Sequence, residues 1–164
     1  MKSRLAFLFG TICLSLVALC VGVGFGEDRP QPEHAAITET ALDYIEGWYT
    51  ADATRMEQAL YPELAKRVLV RDPRTGKGRI DHMGAMRLVQ RTRARKDKAI
   101  KLSDVQREVV ILDVFENAAS VKVVGPDWVD YLHLSKLGGR WQIVNVLWEF
   151  NPATKERLGI PQEL

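Results

Sequence analysis

The sequence predicts an α+β domain in which three N-terminal helices pack in a curved, mainly antiparallel sheet. Helical periodicity in the first half of the chain gives way to four strand-like segments between residues 106 and 150 that are rich in β-branched and aromatic residues. These segments are separated by only one or two residues, and links this short require antiparallel neighbours. Both faces of the last strand are largely apolar, so one face should meet the helices and the other a partner chain, the tail or other covering structure.

Residues 1–26 are predicted to be a cleaved signal peptide. Two basic residues among the first four precede an uncharged stretch of 22 residues, and small residues stand before the polar Glu27. Cleavage after Gly26 would place the mature chain in the periplasm or outside the cell. The alternative is a membrane anchor formed by residues 5–26, because a stretch of this length can span a bilayer.

Removal of this segment changes the charge balance. Lys plus Arg falls from 23 to 21 against 21 Asp plus Glu, because the two basic residues removed are Lys2 and Arg4. A mature chain with a net charge near zero gives no support for nucleic-acid binding. The basic run in residues 87–101 is interpreted as a solvated helix face, with contact to anionic lipid or another protein as the alternative. Both cysteines lie in the removed segment, so we expect no disulfide or cysteine metal site.

The helices and first strands follow from local signals. Residues 27–34 read as a proline-containing linker, and a helical apolar pattern begins at Ala35. Asp52 is predicted to cap a second helix. Residues 66–72 form a short strand, and residues 79–82 can pair back across the intervening turn. Asp81 is predicted to cap a third helix through about Arg95, with an inward face formed by Met83, Met86 and Val89 or Gln90.

The C-terminal strands are predicted over residues 106–116, 118–125, 128–137 and 140–150, followed by a less defined tail, 151–164. The pair Gly138–Gly139 supplies the positive φ angles that a tight turn requires. A curved sheet around three helices leaves a hollow between them, which is where a ligand would bind.

Three segments carry a resemblance to a known family: "ALDYIEGWYTAD" (41–52), "ALYPELAKR" (59–67) and "DYLHLSKLGGRWQIVNVLWE" (130–149). Together with the order of elements, they resemble the nuclear transport factor 2-like superfamily, and more closely its lumazine-binding-protein branch, over about residues 35–150. The resemblance implies a cone-shaped α+β fold. It leaves the chemistry open, because the superfamily includes isomerases, dehydratases, hydrolases, transport adaptors and dimerisation modules. Tyr61 stands where the family commonly has a His, and it cannot replace the acid–base range of His near pH 7.

Polar residues in apolar strands are the candidate catalytic groups. Asp113 shares alternate positions with Val109, Ile111 and Phe115, so it is either a buried general base or donor, or a bulge or edge residue. Asp130 and His133 lie three apart in one strand and must point to opposite faces. Tyr131 shares a face with His133, and this pair either lines the pocket or lies exposed or at an interface.

Asn145 alternates with Trp141, Ile143 and Leu147, and it should bind either a ligand or a neighbouring element. Four aromatic residues either form one wall of a ligand pocket or belong to the core or an interface. They are Trp48, Tyr49, Trp128 and Trp148. The predicted ligand-binding residues are Trp48, Tyr49, Tyr61, Met86, Asp113, Tyr131, His133 and Asn145. The candidates for catalysis are Asp113, Asp130, His133 and Tyr61.

These patterns predict an exported, non-catalytic domain that binds a small, mostly apolar ligand, forms a homodimer through its sheet, or does both. We expect no cofactor and no metal site, since the histidines lack ligand spacing. One alternative is a cofactor-independent isomerase, dehydratase or hydrolase that uses Asp113 or Asp130 as base and Tyr61 or His133 as donor. A second alternative is a structural or adaptor module with a filled cone.

Overall fold

A computed structural model describes residues 32–72 and 74–160 of the chain. The predicted signal peptide and its alternative, a membrane anchor, lie outside the described residues. Among the described residues, no helix combines the length and the apolar character needed to cross a membrane.

The sheet has six strands in the order β2-β1-β6-β5-β4-β3. All neighbours are antiparallel except β1 and β6, which are parallel. The strands are β1 (Leu60–Arg71), β2 (Gly78–Met83), β3 (Glu108–Phe115), β4 (Ala118–Val124), β5 (Trp128–Leu137) and β6 (Arg140–Phe150). The fold class is confirmed: this is the cone-shaped α+β fold that the sequence predicts.

Three helices cover one face of this sheet, and a fourth follows it: α1 (Pro32–Thr50), α2 (Ala53–Ala59), α3 (Ala85–Arg93) and α4 (Pro152–Leu158). The predicted order of helices and strands is confirmed, but several boundaries differ. Helix α1 begins inside the predicted linker, and β1 begins six residues earlier than predicted, at Leu60 rather than at residue 66. The predicted tail contains α4, which Asn151 caps through its side chain.

Asp81 does not cap α3, contrary to the sequence prediction. It lies in β2, paired with Val68, and Gly84 occupies the N-cap position. Pairing with β1 therefore extends the hairpin through the stretch that local signals assign to the helix start. Asp52, in contrast, caps α2 as predicted, accepting hydrogen bonds from the backbone N–H groups of Thr54 and Arg55.

The core lies between the helices and the inner face of the sheet. Residues Val121, Val123, Leu132 and Ile143 point from the strands toward the apolar stripe of α1, and all of them are buried. One close approach between helices contributes to the geometry here. Gly47 lets α2 approach α1, since a Cβ at this position would lie 3.0 Å from a backbone nitrogen of α2.

Two β-bulges, one in β3 and one in β6, change which face of the sheet the following residues occupy. In β3, Ile111 pairs with Val121 but Asp113 pairs with Ser120, which leaves Leu112 as the extra residue. In β6, Ile143 pairs with Leu134 but Asn145 pairs with His133, which leaves Val144 extra. Because side chains alternate between faces, one inserted residue moves everything beyond it to the other face.

Candidate functional site

A cavity of about 210 Å³ opens between the helices and the β1–β6–β5 part of the sheet. Its wall is almost entirely apolar and aromatic. The lining residues are Tyr44, Ile45, Trp48, Met56, Lys66, Met83, Leu88, Arg91, Trp128, Trp148 and Phe150. Arg91 is the exposed cationic residue of this set, which places it at the cavity mouth.

Aromatic rings form one continuous side of the cavity. The ring centroid of Trp128 lies 5.8 Å from that of Trp48 and 5.7 Å from that of Trp148, both in edge-to-face arrangements. Tyr49 stacks on Trp128 at 5.6 Å from behind, and its hydroxyl donates to Asp127. Rings held in this way present flat apolar surfaces with little freedom to move, which suits a planar ligand.

A buried ion pair borders this cavity, with Lys66 in the lining and Asp130 behind it. Lys66 Nζ lies 2.7 Å from Asp130 Oδ1 and 2.6 Å from the Tyr44 hydroxyl. Tyr44 in turn donates to Asp130 Oδ1 at 2.9 Å, and Trp128 Nε1 donates to Oδ2 at 2.8 Å. Asp130 is completely buried and Lys66 is 7% exposed. The carboxylate therefore has three donors from the described residues and no access to solvent.

Burial determines the protonation behaviour of this group. Desolvation, reinforced by the charge and hydrogen bond of Asp130, raises the pKa of Tyr44 well above that of a free tyrosine. Desolvation lowers the pKa of Lys66, although the neighbouring carboxylate acts in the opposite direction. The Tyr44 hydroxyl therefore remains a hydrogen-bond donor throughout the physiological pH range.

Trp48 contributes a polar atom that nothing in the described structure satisfies. Among residues 32–72 and 74–160, its Nε1 is the one buried side-chain nitrogen or oxygen that has no hydrogen-bond partner. The indole ring is fixed from its other side by Arg95, whose guanidinium lies 4.3 Å from the ring centroid and whose Nε donates to the Trp48 carbonyl. A buried donor without an acceptor costs about 1–3 kcal/mol, so it indicates a partner that the described residues do not supply.

The structure separates the polar residues that the sequence singles out. Asp113 is exposed on the outer face of the sheet, because the bulge at Leu112 turns it away from Val109 and Ile111. His133 and Tyr131 are also exposed on this face, opposite to Asp130, as the alternation of β5 predicts. None of these three side chains lines the cavity.

Asn145, for which the sequence leaves open a ligand or a neighbouring element as partner, faces outward as well. The bulge at Val144 is the reason, and Asn145 instead bonds Arg67 and His133 across the outer surface. Two further predicted ligand-binding residues also lie away from the cavity lining. Met86 is 65% exposed on α3, and Tyr61 is partly exposed near the start of β1.

Trp48 is the predicted ligand-binding residue that does line the cavity, and Tyr49 supports the wall from behind. Asp130 is the one catalytic candidate at the site, where it is bonded to lining residues. Sequence reasoning did not find Lys66, although a signal existed. Lys66 alternates with Leu64 and Val68, just as Asp130 alternates with Leu132 and Leu134. Opposite charges in two apolar rows are a pattern typical of a buried ion pair.

Comparison of the sequence with known proteins assigns the chain to a family. Residues 32–149 match the family model described as "Putative lumazine-binding". No functionally curated protein matches the chain. The solved structures that it resembles include a nuclear transport factor 2-like protein of unknown function from Silicibacter pomeroyi, with a TM-score of 0.59 and 17% identity over 73% of this chain and 97% of the other.

Two further structures agree with this fold. A nuclear transport factor 2-like protein of unknown function from Shewanella baltica has a TM-score of 0.55 and 21% identity over 73% of this chain and 94% of its own. A ketosteroid isomerase-like protein from Erwinia carotovora atroseptica has a TM-score of 0.53 and 14% identity over 73% of this chain and 97% of its own. At such identities the similarity shows the fold alone. The chain belongs to the family described as "Putative lumazine-binding", and it shares the fold of the nuclear transport factor 2-like proteins.

Proposed function

We propose that this chain is an exported, non-catalytic binding domain that holds a small, largely apolar molecule in the cavity between α1, α3 and the sheet. The observation that carries this proposal is a preformed cavity of about 210 Å³ whose wall is built from aromatic and aliphatic side chains. For comparison, an apolar protein cavity of about 150 Å³ accommodates benzene. A molecule with one or two rings is therefore the appropriate size, and an open cavity argues against a filled cone.

The arrangement of Asp130 favours binding over catalysis. A general base must reach the substrate proton, but this carboxylate has no exposed surface and accepts three hydrogen bonds from the protein. The other three catalytic candidates lie outside the cavity lining. An isomerase, dehydratase or hydrolase would have to break the pair of Asp130 with Lys66 during turnover, and this energetic cost counts against the enzymatic alternative.

A matched pair of substitutions tests the cavity. Met83 lines it from β2, whereas Met86 lies three residues further on and is exposed on α3. We expect Met83→Trp to fill the cavity and Met86→Trp to leave it open. Small molecules that co-purify with the protein, identified by mass spectrometry, should appear with the unmodified chain and with Met86→Trp but not with Met83→Trp. The same ligand at the same occupancy in all three proteins would contradict this location.

The homodimer is part of the same proposal and uses the outer face of the sheet. That face carries exposed apolar side chains on neighbouring strands, among them Tyr131 at 46% and Leu147 at 51% exposure, with Leu112 on β3. A second copy can cover this surface symmetrically, because each copy offers the same patch. We expect Leu147→Glu to convert a dimer to a monomer in light scattering. Leu158→Glu, at an exposed leucine on α4, should not do so.

Export follows from the pattern of residues 1–26 and is proposed on that basis. N-terminal sequencing of the protein recovered from the periplasm or medium should begin at Glu27. A protein that begins at Met1 and fractionates with membranes would support the anchor instead.

A further inference from the structure

We propose that the molecule bound in this cavity is an aromatic compound that carries an anionic oxygen acceptor, a carboxylate or an ionised enol or phenol, received by Trp48 Nε1 and Lys66 Nζ with Arg91 at the entrance. This inference rests on the proposed function, since it names the class of ligand for the same cavity.

The first support is the unmatched donor. The indole N–H can only donate, and Trp48 Nε1 is buried without an acceptor among the described residues. The ring cannot easily turn to find one, because Arg95 stacks on one side of it and Trp128 contacts it at its edge. The nitrogen has almost no accessible surface, so a slight tilt of the ring toward the cavity that Trp48 lines would bring this N–H to an oxygen acceptor on the ligand.

The second support is the way in which Lys66 is held. Its ammonium group has three N–H donors, and the bonds to Asp130 and Tyr44 use two of them. No hydrogen bond among the described residues uses the third, which belongs to a cavity-lining residue whose ammonium also lies 4.9 Å from the Trp148 ring centroid. Asp130, by contrast, is itself fully buried and takes its hydrogen bonds from Tyr44, Lys66 and Trp128. The site therefore offers donors to a ligand, and its carboxylate is already occupied.

The third support is the sign of the charge. Of the described residues that line the cavity, two are cationic, Lys66 and Arg91, and none is acidic. Asp130 balances the charge of Lys66. The cavity lining therefore has one uncompensated positive charge, that of Arg91. Aromatic faces from Trp128, Trp148 and Phe150 complete the surface against which a flat ring would stack. Positive charge combined with unmatched donors selects an anion over a neutral molecule of the same shape.

The experiment compares two probes that share one ring system, 2-naphthoate and the neutral ketone 2-acetylnaphthalene. Both are titrated by calorimetry into protein purified after expression of the full-length chain. We expect naphthoate to bind about tenfold or more tightly than the ketone, because hydrogen bonds to charged groups are stronger than neutral ones. We also expect added salt to reduce this preference.

Trp48→Phe removes the N–H and keeps a ring in place. It should weaken naphthoate binding about tenfold or more, the effect of losing a charge-assisted hydrogen bond. Trp141→Phe is the matched control, because the N–H that it removes donates to Glu33 and lies outside the cavity lining. It should leave the affinity unchanged. Circular dichroism confirms that each variant is folded.

Arg91→Gln should reduce the preference for naphthoate several-fold and flatten its salt dependence. Arg93→Gln, which replaces an exposed arginine of the same helix that does not line the cavity, should change neither. This comparison separates a charge at the entrance from the general basic character of α3.

Equal affinities for the two probes, with Trp48→Phe binding as well as the unmodified protein, would overturn the inference while leaving an apolar binding cavity in place. If neither probe binds and Met83→Trp retains the co-purified molecules, the proposed function itself fails, and the ligand class fails with it.

Discussion

Replacing Lys66 by Met tests whether the buried ion pair supports the fold behind the cavity. The two charged atoms lie 2.7 Å apart, and at an effective dielectric constant of 20 their attraction is about 6 kcal/mol. Part of this is offset by the desolvation of both groups. Asp130 also keeps two donors, Tyr44 and Trp128, after the substitution. We therefore expect Lys66→Met to lower the free energy of unfolding by about 3–5 kcal/mol, since it leaves a buried charge uncompensated.

The measurement is urea denaturation followed by circular dichroism, with the free energy obtained by linear extrapolation. The double variant Lys66→Met/Asp130→Asn removes both charges and should be less destabilised than Lys66→Met alone, because no unpaired charge remains. Lys77→Met, at an exposed lysine in the β1–β2 turn, should stay within about 0.5 kcal/mol of the unmodified protein. If Lys66→Met and Lys77→Met were equally stable, the ion pair would not contribute to the fold as argued.

Three other predictions concern the contacts around α1. Burial, reinforced by Asp127, raises the pKa of Tyr49 in the folded protein. The stabilisation from this raised pKa should therefore be complete below pH 10 and lost at higher pH, because the tyrosine then ionises in the unfolded chain. Tyr49→Phe should flatten the fall in unfolding free energy above pH 10. Glu46 is buried and paired with both Arg55 and Arg107. Glu46→Gln should cost about 2 kcal/mol in urea denaturation, and no loss would show that these pairs are dispensable. Gly47→Ala should destabilise the protein by about 1–3 kcal/mol despite its better helix propensity, because the added Cβ meets backbone atoms; higher stability would show that α2 can shift.

Local chemistry accounts for what could be predicted about the fold. The turn at Gly138–Gly139 has positive φ at both residues, as the sequence predicts, and the strands on either side run over the predicted residues. Asp52 caps α2 through its own side chain. Each of these features is determined by residues within a few positions of one another, and the short links between strands exclude any neighbour arrangement other than antiparallel.

The bulges mark the point at which alternation fails as a guide to the site. Asp113 and Asn145 each follow an inserted residue, Leu112 and Val144, and each therefore faces outward instead of inward. A bulge depends on how a strand pairs with its neighbour in the sheet, and the sequence of one strand alone does not contain that information. The candidate site therefore lost two predicted polar residues through the pairing of strands, although the strands themselves were placed correctly.

The amino-acid sequence by itself determined the elements, their order and the apolar rows that build an α+β cone, because periodicity and turn chemistry act over short distances. It also placed a charge in each of two apolar rows, at Lys66 and Asp130. Only the tertiary structure decided that these charges meet. Strands β1 and β5 are not neighbours in the sheet, and β6 separates them. The cavity and its unmatched Trp48 donor arise from that long-range packing, which brings residues far apart in the chain around one small space.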